Sequence, residues 1–277
     1  MNDFTGRVVV VTGASTGIGL AAATAFARGH ARVALVARDS ARLEQALSAV
    51  RESAAAGADA VTAFPADFTR FDDVRSLAIA LGRAYPRIDV LANNAGGAYA
   101  KRATTADGLE QTIQINHLSP FLLTNLLRDR LDGARIINTA STAHRMGRLD
   151  PANLSSDGRP YSRFPVYGAS KLANIVFAVE LARRWPEVFA YSFHPGVVRS
   201  RFGNDGALIS TFYKYWPFIR SAETGADTML WLAAQPTADL VNGGYYADRR
   251  LTRPIARATD AELGTALWDE SAKIVGL

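Results

Sequence analysis

The sequence predicts one α/β domain in which a doubly wound, mostly parallel sheet of about seven strands carries helices on both faces. Short β-branched, apolar runs alternate with helical patterns along the chain, and this alternation is typical of parallel sheets with helical crossovers. The 277 residues contain no linker-like segment and are enough for one large domain with an ample core. In such a sheet we expect ligands at the carboxyl ends of the strands.

The first strand is predicted over residues 7–12, because RVVVVT is a β-branched run of strand length that suits burial on both faces. A glycine-rich turn then leads into the first helix. Ser40 is expected to cap the second helix, and Asp72 and Asp73 suit the positive end of the third. Later strands are predicted at 32–36, 60–65, 88–92, 135–139, 188–193 and 244–247, and later helices at about 40–56, 71–84, 105–128 and 164–184.

The turn at residues 12–19, TGASTGIG, is predicted to bind a phosphate. It joins a strand to a helix start, where backbone N–H groups and the helix dipole attract an anion. Gly13, Gly17 and Gly19 would let the backbone approach that anion closely. Their spacing is G-x-x-x-G-x-G and not the G-x-G-x-x-G of other dinucleotide folds, so the turn alone also fits an ordinary strand-to-helix connection.

Tyr167 and Lys171 are candidate catalytic residues, because residues four apart lie on one face of a helix. A nearby ammonium favours phenolate and lowers the pKa of a tyrosine from its reference value of about 10, which suits proton transfer. The YxxxK pattern alone is common. Further polar or glycine-containing turns follow predicted strands at residues 93–97, 141 and 194–196. Each fits ordinary turn chemistry, but together on one rim they favour a site.

The composition argues against several other classes of protein. The chain has no cysteine, which excludes disulfides and a thiol nucleophile, and its four scattered histidines form no ligand pattern, so we expect no metal. The net charge of +5 comes from basic residues spread over many segments, so we expect no nucleic-acid partner. The chain opens directly into its first strand and has no apolar run of membrane length. We therefore expect a cytoplasmic protein without a membrane anchor.

Six motifs follow one another along the chain: TGASTGIG at 12–19, NNAG at 93–96, Asn116, Ser141, YGASK at 167–171 and HPGVVRS at 194–200. In this order and spacing the sequence resembles the short-chain dehydrogenase/reductase family over nearly its whole length, which implies a Rossmann fold over residues 1–277. It is most similar to the retinol dehydrogenase and WW-domain oxidoreductase branch, through TADGLEQTIQINHLSPFLLTNLL, STAHRMG and LWDESAKIVGL. The 26-residue separation of Ser141 and Tyr167 also fits that branch.

The resemblance implies an enzyme that transfers a hydride between a nicotinamide dinucleotide and a carbonyl or alcohol. Tyr167 would exchange a proton with the substrate oxygen, and Ser141 would hold that oxygen. Lys171 would lower the tyrosine pKa and bind the nicotinamide ribose, and Asn116 would support a water linked to Lys171. The implied cofactor-binding residues are Gly13, Ser15, Thr16, Gly17, Ile18, Gly19, Arg38, Asp67, Asn93, Ala95, Gly96, Tyr167, Lys171, Pro195, Gly196, Val198 and Ser200.

The end of the second strand favours NADP over NAD. In this family, NAD users tend to carry an acid at the position of Ala37, whereas NADP users tend to carry a basic residue next, as Arg38 does. A guanidinium suits a ribose 2′-phosphate. Asp39 could also be the acid, but it lies two residues late and is expected to begin the next helix. By resemblance, Asp67 would contact the adenine and Asn93 the adenosine side.

Residues 200–221 are interpreted as a substrate lid, because a rim loop here holds Phe212, Tyr213, Tyr215, Trp216 and Phe218. The alternative is a dimer contact or core packing, and the first would give a homo-oligomer. We expect an apolar small-molecule carbonyl or alcohol as substrate. Many retinol dehydrogenases carry an amino-terminal anchor that is not expected here, so the resemblance does not extend to a retinoid.

Two other functions stay open. One is a non-catalytic dinucleotide sensor, which would not need the set of Asn116, Ser141, Tyr167 and Lys171. The other is an enzyme similar to protochlorophyllide reductase, whose usual mechanism is associated with a cysteine that this chain lacks.

Overall fold

The fold is known from a computed structural model that describes residues 2–38, 40–198 and 220–277. Its centre, in these residues, is a sheet of eight strands. They are β1 (Val8–Thr12), β2 (Arg32–Ala37), β3 (Val61–Pro65), β4 (Val90–Asn93), β5 (Arg135–Thr139), β6 (Phe189–His194), β7 (Tyr245–Ala247) and β8 (Arg250–Leu251).

The strand order is β3-β2-β1-β4-β5-β6-β7-β8, and all neighbours are parallel except β7 and β8. The predicted doubly wound, mostly parallel sheet is therefore confirmed. The expected number of about seven strands omits β8, which has two residues and pairs antiparallel with β7. Strands β2 and β3 lie on one side of β1, and β4 and the later strands lie on the other. The carboxyl ends of β1 and β4 therefore border a crevice, because the connections from these two strands run in opposite directions.

Helices cover both faces of the sheet, and each face has its own apolar cluster. Val9 and Val11 of β1 face one cluster, and Val8 and Val10 face the other, so β1 is buried on both faces as predicted. The helices are α1 (Gly17–Arg28), α2 (Ser40–Glu52), α3 (Phe71–Ala84), α4 (Gln111–Ile113, continuing through Gln114–Leu118 and Ser119–Leu126), α5 (Arg163–Arg184), α6 (Ala222–Ala234) and α7 (Ala261–Val275). The cluster that Val9 and Val11 face contains side chains of α1, α2 and α6, and the other cluster contains those of α3, α4, α5 and α7.

The start of one helix differs from the sequence prediction. The helix expected from residue 105 begins at Gln111, because Gly108, with a φ of 80°, forms a turn in which its N–H donates to the Thr105 carbonyl. The Glu110 carboxylate then caps α4 by accepting from two N–H groups of its first turn. Helix α2 begins at Ser40, in agreement with the predicted range of about 40–56, so Ser40 is its first residue and not the cap before it.

Across the described ranges, no helix is both long and apolar enough to cross a bilayer. In the same part of the chain, no group of three or more His, Asp or Glu side chains is arranged to hold a metal ion.

Candidate active site

The glycine-rich turn after β1 is shaped by contacts within the protein. Gly13 and Gly17 have φ values of 68° and 56°, which favour glycine. A Cβ on Gly13 would lie 2.9 Å from the Ala95 Cα, and one on Gly19 would lie 2.2 Å from the Gly13 carbonyl oxygen. The glycines therefore let the loop after β4 and the start of α1 pack directly on the turn.

Thr12 joins the ends of β1 and β4. Its hydroxyl donates to the Ala92 carbonyl (3.1 Å) and accepts from the N–H groups of Asn94 (2.9 Å) and Ala95 (3.0 Å). The Asn94 side chain donates to the Thr12 carbonyl (2.9 Å) and accepts from the Thr139 hydroxyl (3.3 Å). The loops after β1, β4 and β5 thus form one hydrogen-bonded rim.

The start of α1 suits the phosphates of a dinucleotide. Thr16 occupies the cap position without a side-chain cap bond, and the first turn contains no acidic residue. The N–H groups of Gly17, Ile18 and Gly19 are therefore available to an anion at the positive end of the helix dipole. Ser15 is half-buried and Thr16 exposed, so their hydroxyls add donors at the same place. This donor set matches the chemistry of a pyrophosphate.

Arg38 and Asp67 lie at the ends of neighbouring strands, β2 and β3. Arg38 is exposed, and none of the ion pairs between described residues involves it. The Asp67 carboxylate accepts from the Thr69 N–H (2.9 Å), which fixes a turn beside the end of β2. A guanidinium and a carboxylate thus border the crevice on the side of β2 and β3.

Asn93 is deeply buried, with 3% of its surface exposed. Its Nδ2 donates to the Thr124 hydroxyl (3.1 Å) and to the Asn138 Oδ1 (3.0 Å). The side chain therefore links β4 to β5 and α4. A cofactor contact by Asn93 stays a prediction, and it would use the backbone.

Asn116 lies in Gln114–Leu118, the stretch of α4 that has one widened, π-helical turn, a feature often found at functional sites. It is 1% exposed. Its Oδ1 accepts from the Gly97 N–H (2.8 Å), and its Nδ2 donates to the Gly97 carbonyl (2.9 Å) and the Ser170 Oγ (2.9 Å). Asn116 therefore fastens the loop after β4 to α5.

Lys171 is buried beside this loop. Its Nζ donates to the Thr139 carbonyl (2.8 Å), and Asn174 donates to the same oxygen (3.1 Å). Burial lowers the pKa of Lys171 to about 7. A Cβ on Gly96 would lie 2.9 Å from the Asn116 Oδ1 and 3.3 Å from the Lys171 Nζ, so these two polar groups flank the same backbone position.

The predicted pairing of Tyr167 and Lys171 exists in the structure. The Lys171 Nζ lies 5.5 Å from the centroid of the Tyr167 ring, close enough for a cation–π contact. The Tyr167 carbonyl accepts from the Ser170 Oγ (2.7 Å), and Ser170 in turn accepts from Asn116. Tyr167, Lys171 and Asn116 are thus connected through α5.

The segment that follows Ser141 is held next to Tyr167 by a close backbone contact between two glycines. A Cβ on Gly168 would lie 2.5 Å from the Ala143 carbonyl oxygen, and one on Gly147 would lie 2.3 Å from the Gly168 carbonyl carbon. The short helical segment that follows Ser141 therefore packs on α5 next to Tyr167. The Ser141 Oγ accepts from the Ala143 N–H (3.2 Å), which leaves its hydroxyl hydrogen available to a substrate oxygen.

The rim continues past β6 through the predicted cofactor residues Pro195, Gly196 and Val198. The His194 Nδ1 accepts from the Thr142 N–H (3.4 Å), so the end of β6 contacts the segment that begins at Ser141. Burial, with a smaller effect from the charge of Arg220, lowers the pKa of His194 to about 4. The predicted cofactor residue Ser200 and the aromatic lid residues 212–218 lie outside the described residues.

Sequence reasoning missed three parts of this site. The first is the Thr12 hydroxyl, whose only signal is its position at a strand end before the first glycine. The second is the Thr139 carbonyl, which no side-chain pattern can reveal. The third is the contact of Gly147 with Gly168, whose signal is a glycine six residues after Ser141 and another within YGASK.

The fold and the site together define a dinucleotide-binding oxidoreductase, and comparison with known proteins agrees. Residues 7–206 match the short chain dehydrogenase family. A protein of Streptomyces sp. (strain C5), provisionally named daunorubicin C-13 ketoreductase DnrU, is 51% identical over 271 residues, which are 98% of this chain and 93% of the relative. Human retinol dehydrogenase 12 is 36% identical over 278 residues, with 98% and 87% covered.

A crystal structure of an uncharacterised protein from Mycobacterium paratuberculosis superposes with a TM-score of 0.82 at 31% identity, covering 100% of this chain and 96% of that one. The chain therefore belongs to the short-chain dehydrogenase family, in the branch similar to the retinol dehydrogenases. It is an oxidoreductase that acts on alcohol or carbonyl groups, and its fold binds NAD or NADP.

Proposed function

We propose that the protein exchanges a hydride between NADP(H) and the carbonyl or alcohol group of an apolar small molecule. The observation that carries the proposal is the assembly of Asn116, Ser141, Tyr167 and Lys171 beside the glycine-rich turn, where hydrogen bonds and a glycine contact hold them together. A dinucleotide sensor has no need for this complete set.

Each of these residues has a role that its surroundings support. Bound NADPH supplies the hydride, and NADP⁺ accepts it in the reverse direction. The Tyr167 hydroxyl donates a proton to the substrate oxygen in reduction and recovers it in oxidation. The Ser141 hydroxyl donates a hydrogen bond to that oxygen. The Lys171 ammonium stabilises negative charge on the Tyr167 oxygen, and Asn116 holds a water that connects Lys171 to solvent.

An apolar substrate fits the side chains around the catalytic residues. Large apolar side chains are generally buried, but Met146, Phe164 and Val197 are 54%, 54% and 43% exposed. Met146 is the last residue of the short helical segment that follows Ser141. Phe164 lies one helical turn before Tyr167, and Val197 follows the end of β6. Three segments of the rim thus present apolar surface, as a site for an apolar ligand would.

Reduction of a ketone is the favoured direction. The relative that is 51% identical is named for ketone reduction, and the match extends over 98% of this chain. NADPH is the favoured donor, because the exposed Arg38 guanidinium stands at the end of β2, where a ribose 2′-phosphate would bind.

A substrate screen tests the proposal. Aldehydes, ketones and lipophilic alcohols, each with a small polar analogue, are assayed with NADPH, NADH, NADP⁺ and NAD⁺. We expect NADPH consumption with ketones that carry an apolar group, slower consumption with the polar analogues, and weaker activity with NADH. Binding of NADPH without turnover of any compound would favour the sensor and contradict the proposal.

A further inference from the structure

The turn between β7 and β8 has an uncommon backbone conformation. Asp248 and Arg249 have φ values of 51° and 58°, in the left-handed region that a type I′ hairpin turn requires at both central positions. Such turns usually place glycine second, whereas this one has arginine. Non-glycine residues persist in this conformation where the surrounding contacts fix them, and they cluster at ligand-binding sites.

Two ion pairs hold this turn, one to Asp227 in α6 and the other to Arg220. The Arg249 side chain pairs with Asp227 in α6, with the Arg249 Nε 2.7 Å from the Asp227 Oδ2. The backbone N–H of Arg249 donates to the Thr228 hydroxyl (3.3 Å). The Asp248 carboxylate makes two bonds to Arg220, one of them between Nη2 and Oδ2 at 3.1 Å. The first pair anchors the turn to α6, and the second fixes the Arg220 guanidinium.

Arg220 lies against the loop that follows β6. A Cβ on Gly196, whose φ is 83°, would lie 2.5 Å from the Arg220 Cδ and 2.7 Å from its Nε. The Arg220 N–H donates to the Val197 carbonyl (2.8 Å), and Arg220 forms a bridge with Val198. The Arg220 side chain and backbone therefore fix the course of residues 196–198 from one side.

We propose that the Arg220–Asp248 ion pair is a positioning pair for cofactor binding, which holds residues 195–198 in the shape that contacts the nicotinamide half of NADP(H). This inference rests on the proposed function, since that function assigns Pro195, Gly196 and Val198 to the cofactor. Neither charged residue needs to touch the cofactor.

Two variants break the pair with little change in shape. Asp248→Asn keeps a side chain that tolerates the left-handed conformation and removes the charge. Arg220→Met keeps an unbranched stem against Gly196 and removes the guanidinium. We expect each to raise the Kd and KM for NADPH about threefold to fivefold, the range of a partly exposed ion pair, with kcat nearly unchanged. The double variant should equal either single one, because both act through one contact.

The neighbouring ion pair provides the control. Arg249→Gly removes the pair with Asp227, while glycine suits the backbone of the turn, so the Kd for NADPH should stay at the wild-type value. Melting temperatures without ligand measure any general loss of stability. If Asp248→Asn and Arg220→Met bind NADPH as the wild type does, or if they only melt earlier, the pair is structural and the inference is wrong. A wild type that binds no dinucleotide would overturn the proposed function as well.

Discussion

The two ends of the dinucleotide crevice are constructed differently. At the catalytic end, Asn116 and Lys171 are 1% and 3% exposed, and their polar atoms bond to backbone groups of the loop after β4 and of the last residue of β5. At the opposite end, Arg38 is exposed, and no described ion pair involves it. Under the proposed function, we therefore expect the chemistry to depend on a geometry fixed by many contacts, and the choice of cofactor to depend on one side chain.

This difference indicates what substitutions should do. A change at the catalytic end should alter the reaction rate or the packing, because its groups are buried and share partners. A change at Arg38 should mainly alter the affinity for one cofactor, because its side chain is exposed and no ion pair between described residues involves it.

The largest expected effect follows from Tyr167→Phe. This change removes the transferable proton but keeps the ring beside Lys171, so turnover should fall about 10²- to 10⁴-fold while the Kd for NADPH stays near the wild-type value. Steady-state rates and a nucleotide titration measure the two quantities. Turnover at the wild-type rate in the Phe variant would disprove the role of Tyr167.

The end of the crevice opposite the catalytic residues is tested by Arg38→Ala. Loss of a charged hydrogen bond to the 2′-phosphate should weaken NADPH binding by roughly 1.5 to 3 kcal/mol and leave NADH unchanged. Added salt should narrow the difference between the cofactors in the wild type. Adding Ala37→Asp to this variant should move the preference towards NADH, since a carboxylate accepts from ribose hydroxyls and repels a phosphate. Equal losses for both cofactors would mean that Arg38 only shapes the loop.

The glycine contact between the Ser141 segment and α5 is tested by a matched pair of helix glycines. In Gly168→Ala, the new Cβ would lie 2.5 Å from the Ala143 carbonyl, so stability should fall by about 1–3 kcal/mol and turnover should fall with it. In Gly82→Ala of α3, the nearest atom would be the Arg130 Nε at 3.8 Å, so stability should rise by about 0.5–1 kcal/mol. Equal effects of the two changes in denaturant unfolding would contradict the close contact.

The burial of Lys171 at the catalytic end also predicts a pH dependence of stability. Burial lowers its pKa from 10.5 to about 7, so between these values the unfolded chain binds a proton that the folded chain does not. Stability of the ligand-free protein should therefore rise with pH across this window. The melting temperature of the wild type minus that of Lys171→Met should increase from pH 7 towards about pH 10. A difference that stays constant over this pH range would contradict the burial of the ammonium.

Local patterns predicted much of this molecule. Residues 135–139 coincide with β5, because a β-branched run of strand length has few alternatives, and the spacing of Tyr167 and Lys171 indicated their shared helix face. The turn at Gly108 was missed, because a helical pattern continues through it. The contacts of Gly147 with Gly168 and of Arg220 with Gly196 join residues far apart in sequence, and such contacts leave no periodic signal.

The most direct test of the central claim is the fate of the hydride. NADPH deuterated at the transferable position of the nicotinamide is mixed with the wild type and a ketone from the screen, and the alcohol product is analysed by mass spectrometry and NMR. The structure predicts one deuterium per product molecule, on the carbinol carbon and of a single stereochemistry, because one geometry is fixed around Tyr167 and Ser141. Product without deuterium, or deuterium lost to solvent, would contradict direct transfer and with it the proposed function.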